Sequence, residues 1–335
     1  WAEEDLSKAQ FTHDPIAQPL LDENADLPVL QQRDKLSFTA TDATYVQQAV
    51  WLDQIASRVS EDTTLKQLEL IRLTADVQSP ENETPENIAD AVAKLNPGLS
   101  TDDAATLATA TQLFDWVTRN IQLTETITPD ADDVEQQRLN DAPSVPAAGV
   151  RGPGYSRFIW QTIVYARGDY IDRAKVFIAL CRQQDIDAVM IATGAEQPQK
   201  PWAVGVAVGA DYFLFDTKLG LPIPGQSPGS IATFAAAASN EAILESLDLS
   251  VDESLADDTD YWVKSADLKD AGALIYFSPE GVSRRMSALE DSLLGDQRLR
   301  LIDRPADQLK RLPETDSLNL TPWDIAFKTH QFRQA

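Results

Sequence analysis

Residues 168–191 read GDYIDRAKVFIALCRQQDIDAVMI, and this stretch organises the rest of the chain. Tyr170, Ala174, Phe177, Ile178 and Cys181 recur at helical spacing, which places them on one buried stripe. The pattern then passes through Asp185-Ile186-Asp187 into an apolar run suited to a strand over 188–192. A second run at 202–208 is almost wholly apolar, and Gly209-Ala210-Asp211 turns it into a third at 212–216. The last two runs predict a hairpin, and hence an antiparallel sheet behind a central helix.

Upstream, the residues up to 35 are acidic and carry Pro15, Pro19 and Pro28, which predicts an extended arm. Asp42 is the expected N-cap of a helix over 43–59, with Val46, Val50, Ile55 and Val59 on one face. Residues 65–77 alternate poorly as a strand and suit a helix only moderately, which leaves their type open. Residues 80–85 form a polar linker before a short helix at 86–95, which Asn96-Pro97-Gly98 ends. Asp102 or Asp103 caps a strong helix to Asn120, whose Leu107, Ala110, Leu113, Phe114 and Val117 share a face. From 124 to 157 periodicity is lost among several Pro and Gly residues, so a long loop is expected there. Residues 158–166 suit either a helix or a buried strand.

Downstream, 273–277 and 298–302 read as strands and 283–294 and 305–312 as helices, a rhythm that predicts a separate small α/β module behind an acidic linker at 248–260. The expected organisation is therefore an N-terminal arm and helical region (1–100), an α+β core (101–247) and a C-terminal α/β module (248–335).

Composition narrows the function. With 335 residues and 43% apolar content, the chain can bury a sizeable core. Its 28 Lys and Arg against 53 Asp and Glu give a formal charge of -25, a field that repels phosphate backbones and anionic headgroups. Nucleic acid and membrane-surface partners are thus not expected. The acidity either draws basic partners or solvates the surface. No run of ~20 apolar residues able to span a bilayer occurs. The chain opens on Trp1 rather than Met, and the expectation is that an export signal or anchor preceded it, giving a cell-envelope location, with the cytoplasm as the alternative. One cysteine, Cys181, excludes an intramolecular disulfide and a multi-cysteine metal site. Without an internal repeat or a glycine-rich phosphate loop, neither a cofactor nor a metal is expected, and nothing fixes the oligomeric state.

The strings LFDWVTRNIQL (113–123), GDYIDRAKVFIALCRQQDIDAV (168–189) and WAVGVAVGADYFLFD (202–216), in that order, resemble the transglutaminase-like superfamily, whose core is papain-like. LGLPIPG (219–225) is similar to a bacterial subgroup of it without assigned activity. The resemblance covers roughly 102–225. In active members a Cys opens the central helix, a His starts the next strand and an Asp sits on the strand after. The helix N-terminus and imidazolium stabilise the thiolate, and the carboxylate orients the imidazole. The resemblance places Tyr170, Trp202 and Asp216 at those positions. A phenol with a pKa near ~10 is a poor nucleophile, and an indole accepts no proton, so the site reads as degenerate.

This implies a catalytically inactive domain that binds a protein or peptide, with Tyr170, Trp202 and Asp216 as binding residues. Tyr170 and Trp202 form either an apolar cleft floor, to which Trp160 and Trp323 add, or plain core. The alternative is a cysteine-type amide hydrolase or acyltransferase using Cys181, with His13 or His330 as base. Asp169, Asp172 and Arg173 read as an acid–base group or, with less demand, as charges suited to a helix N-terminus.

Overall fold

The computed structural model describes residues 11–61, 88–124, 157–194, 199–248, 260–293, 299–315 and 318–332. In chain order, α1 (Gln18–Glu23), α2 (Pro28–Gln31) and α3 (Ala40–Glu61) lead to α4 (Ile88–Leu95), α5 (Thr101–Asn120) and β1 (Gln122–Leu123). Next come α6 (Ile159–Tyr165), β2 (Arg167–Gly168) and the central helix α7 (Tyr170–Gln183). The strands β3 (Ala188–Thr193), β4 (Lys200–Val208), β5 (Asp211–Asp216) and β6 (Leu221–Pro222) follow, then α8 (Phe234–Ser239) and α9 (Glu241–Glu245). A 3-10 turn (Ser265–Asp270), β7 (Gly272–Tyr276), α10 (Arg284–Asp291), α11 (Pro305–Arg311), β8 (Asn319–Trp323) and α12 (Ile325–Phe332) complete the described chain.

Six strands form one sheet in the order β6-β5-β4-β3-β7-β8. The pairs from β6 to β7 are antiparallel, whereas β7 and β8 run parallel. The sheet is therefore mixed, not purely antiparallel as expected, and the arrangement is compatible with an α+β class. Period-two alternation splits its side chains between two cores. Met190, Val204, Val206, Phe213 and Phe215 face α5 and α7, while Val189, Ile191, Tyr212, Leu214, Ala273 and Ile275 face an outer layer that includes α8, α9 and Tyr261.

Two of the expected boundaries change. The strand foreseen near 273–277 is β7, but it pairs with β3, so residues 272–276 and 319–323 extend the core sheet in place of a separate C-terminal module. The strand expected at 298–302 does not form over its described residues, 299–302. Likewise the N-terminal region is no mere arm: Leu21, Leu30, Leu52 and Ala56 join the core cluster that contains Phe177. Residues 65–77 and almost all of the 124–157 loop lie outside the described residues.

The central helix is buried on almost every face, well beyond the single stripe its spacing predicts. α3, α5, α6 and the sheet pack around it, so charged residues between the stripe positions are enclosed too, and each is compensated. The Arg173 guanidinium donates to the carbonyls of Ile121 (2.9 Å from Nε), Thr217 (3.2 Å) and Thr118 (3.3 Å). Phe114, Phe177 and Phe215 meet edge-on or tilted at 5.1–5.3 Å and lock α5 and α7 onto β5.

Local signals explain the helix starts. Ser100, rather than Asp102 or Asp103, caps α5 by accepting from Asp103 N at 3.1 Å. Asp42 sits inside the first turn of α3, where its Oδ2 accepts from Thr39 N and Thr39 Oγ1, both at 2.7 Å. Residues 158–166 resolve to helix, since Phe158 N donates to Gln161 Oε1 at 3.1 Å in a capping arrangement.

Candidate functional site

Asp169 caps α7, its Oδ1 accepting from Asp172 N at 2.8 Å. Gly168 just before it is required by space, because a Cβ there would lie 2.6 Å from Asp172 Cβ. Tyr170 is thus the first helical residue, half-buried, and its carbonyl accepts from Thr217 Oγ1 at 2.7 Å. That bond ties the start of α7 to the end of β5, where Asp216 stands. Burial first, then the Asp169 and Asp216 carboxylates, push the Tyr170 hydroxyl up to about 12.

Trp202 and Asp216 point into the outer layer and have no exposed surface. They do not touch each other in the way an imidazole and its carboxylate would. Tyr261 stands between them: its hydroxyl accepts from Trp202 Nε1 at 2.7 Å and donates to Asp216 Oδ2 at 2.5 Å. Asp216 Oδ1 accepts from the backbone N–H of Lys218 (2.7 Å) and Leu219 (2.9 Å). Burial raises the Asp216 carboxyl, while these donors, Tyr261 first, pull it back. Burial and the facing carboxylate drive the Tyr261 phenol well up. The three groups form a closed relay with every polar atom used.

Of the three residues expected to bind, only Tyr170 presents surface. Its ring meets that of Trp262 edge-on at 6.1 Å. The ammonium groups of Lys200 and Lys218 lie 4.7 and 4.6 Å from the Trp262 ring centroid, within cation–π range. Trp202 is therefore core rather than cleft floor, and the aromatic surface is made by Tyr170 and Trp262. Trp160 and Trp323 do not extend it: Trp160 lines a cavity beside α3 and α12, and Trp323 is buried on β8 against Tyr276.

Sequence reasoning missed Tyr261, Trp262, Lys200 and Lys218. The available signal was an adjacent Tyr-Trp pair closing the acidic run at 248–260, a weak cue for burial in a segment otherwise read as linker.

Cys181 has no exposed surface, and burial pushes its thiol far above the usual range, the reverse of what an attacking thiolate needs. His13 lies 2.7 Å from Asp34, and His330 lies 3.1 Å from Glu280. Asp172 is held in ion pairs between Arg157 (3.1 Å) and Lys175 (2.9 Å). Among the described residues no group of three His, Cys, Asp or Glu side chains is placed to hold a metal ion, and no helix is long and apolar enough to cross a membrane.

No protein-family model matches the chain, and no curated protein does. Among solved structures, a candidate cysteine protease from Cytophaga hutchinsonii is similar at 18% identity and a TM-score of 0.22, over 45% of this chain and 44% of that one. A likeness of that size carries no argument about fold or activity. The chain spans less than half the length of that relative.

Proposed function

We propose that this chain is a catalytically inactive transglutaminase-like domain, kept as a binding or structural module of a larger cell-envelope protein. The observation that carries the reading is the Trp202–Tyr261–Asp216 relay. Where the resemblance would put imidazole and carboxylate, an indole N–H donates to the Tyr261 phenol and the phenol satisfies the carboxylate internally, and no thiol or imidazole takes part. A carboxylate so occupied has nothing left with which to orient a base. The buried Cys181 speaks against the cysteine-type hydrolase.

The Tyr170–Trp262 surface with Lys200 and Lys218 supports the binding side of the reading. It is a small basic, aromatic patch on a chain of net charge -25, suited to a peptide segment carrying carboxylates beside apolar side chains. The decisive test combines thiol labelling with turnover. The native chain is expected to leave Cys181 unlabelled by iodoacetamide until it is unfolded, and to release no amine from glutamine-containing peptides. Rapid stoichiometric labelling that abolishes an amidase or amine-incorporation activity would overturn the proposal.

A further inference from the structure

Residues 299–311, which include α11, lie against the end of α7 and the start of β3 as a strap. Where a strand was expected near 298–302, the main chain is held by side chains and not by a ladder. Gln183 Oε1 accepts from Arg300 N at 3.1 Å, and Gln183 Nε2 donates to the Arg300 carbonyl at 3.0 Å. Glu290 Oε2 accepts from Leu301 N (2.6 Å) and Ile302 N (2.9 Å), and Asp14 Oδ2 accepts from Ala306 N (2.9 Å). Leu301 is buried with Ala49 and Met286 in a small cluster of its own, and Leu312, just past the other end, joins the outer-layer core. Pro305 is buried between these two anchors.

Much of the remaining attachment is electrostatic. The strap carries Arg300, Arg304, Lys310 and Arg311 against Asp303 and Asp307, and three of its arginines rest on acids outside it. Arg300 pairs with Asp185 at 2.6 Å and Arg304 with Glu290 at 2.9 Å, while Arg311 grips Asp187 through two donors at 2.8 Å each. These three arginine side chains are 35–58% exposed, so water and salt reach the pairs. Beneath the strap is a cavity of about 360 Å³, walled on the core side by Ile178, Ile186, Ala188 and Tyr276. Gln308 Nε2 crosses to the Ala188 carbonyl at 3.1 Å.

We propose that residues 299–311 are a salt-sensitive strap, which lifts from the end of α7 and the start of β3 as ionic strength rises and opens the cavity beneath it, while the rest of the fold tightens. Exposed ion pairs are individually weak, and they weaken further as the reach of a charge falls from ~10 Å at 0.1 M salt to ~3 Å at 1 M. Elements held by few buried apolar contacts and exposed polar bonds open locally before the core does. The same salt acts with the opposite sign on the whole chain, because a net charge of -25 repels itself and screening relieves that repulsion. The opposed signs separate a strap from general loosening.

The test is hydrogen–deuterium exchange of the intact chain, resolved by peptide mass spectrometry at constant pH in about 0.05 M and about 1 M NaCl, with each rate scaled to that of the unfolded chain in the same salt. Peptides over 299–312 are expected to exchange about threefold to tenfold faster at high salt, and those over β3, β4 and β5 at the same rate or more slowly. Asp185→Asn combined with Asp187→Asn should raise the strap's low-salt rate by about threefold to tenfold and remove most of its salt response, with the β4 and β5 rates unchanged. Arg300→Gln combined with Arg311→Gln makes the same test from the strap's side and stands where the first double variant misfolds; the native salt comparison needs neither. Strap exchange that is unmoved or slowed by salt, acceleration shared equally by the core strands, or a native-sized salt response in a folded double variant overturns the proposal.

Discussion

Replacing Tyr261 by Phe removes one oxygen that serves two buried partners at once. In the native chain the hydroxyl takes the Trp202 indole N–H and gives its own proton to Asp216 Oδ2, and both partners are fully enclosed. Losing a hydrogen bond to a charged group costs about 1.5–3 kcal/mol, and a stranded buried donor a further ~1–3 kcal/mol. Phenylalanine recovers almost no area, because Tyr261 is already buried in the native chain. The expected loss is therefore about 3–5 kcal/mol, a large share of a typical folding free energy of ~5–15 kcal/mol. Urea denaturation followed by circular dichroism reads it as a lower midpoint at unchanged slope.

The deficit also has a pH signature. Burial raises the Asp216 carboxyl, so between its unfolded and folded pKa values the native chain holds the proton that the unfolded chain has released. Stability contributed by this group is present below the unfolded pKa and falls as pH rises through that window. The Tyr261 hydroxyl holds the folded value down, so its removal widens the window upward, and the variant's deficit grows as pH rises from the native chain's folded value to the variant's higher one. Asp216→Asn in the Tyr261→Phe background removes the stranded charge and should recover at least ~1 kcal/mol at neutral pH. A deficit below about 0.5 kcal/mol, or one that neither depends on pH nor shrinks with Asp216→Asn, would refute the relay as a load on stability.

Arg173→Met should cost about 3 kcal/mol or more by thermal or urea unfolding, since three buried carbonyls lose their donor. Arg173→Lys should rescue little, because one ammonium cannot reach the carbonyls of Ile121, Thr118 and Thr217 with the same planar fork. Asp42 and Arg285 approach to 2.6 Å, both fully buried, without the alignment of a hydrogen bond. Asp42→Asn therefore leaves an uncompensated buried guanidinium and should cost roughly 3–5 kcal/mol, with faster amide exchange at both α3 and α10. Tyr170→Phe should delete one phenol step, pushed up to about 12 in the native chain, from an ultraviolet titration at high pH.

The parts of this fold that rest on local patterning were legible in the sequence. The spacing of Phe177, Ile178 and Cys181 marks α7, and Gly209, with φ of 61°, permits the tight turn between β4 and β5. What escaped was set by partners distant in the chain. β8 carries Pro322 within five residues, which argues against a central strand and is tolerated because β8 forms the sheet's edge. The enclosure of Arg173 and Lys175 escaped because nothing in their sequence neighbourhood reveals a ring of helices outside them. The resemblance singles out Trp202 and Asp216, but their link runs through Tyr261, whose burial no periodic pattern announces.

The place of β7 in the sheet bears on how the chain is made. β3 hydrogen-bonds on one side to β4, its neighbour in sequence, and on the other to β7, which lies beyond the α8, α9 and Tyr261 layer. As the polypeptide leaves the ribosome, α7 and the β3–β4–β5 meander can collapse early, yet Met190, Ile191 and Ala192 keep bare backbone groups on one edge until residues 272–276 arrive. An open apolar edge of that kind recruits other strands. A chain cut at 247 would thus leave the ribosome with its most hydrophobic strand half-paired, and its fate is expected to be aggregation or chaperone capture.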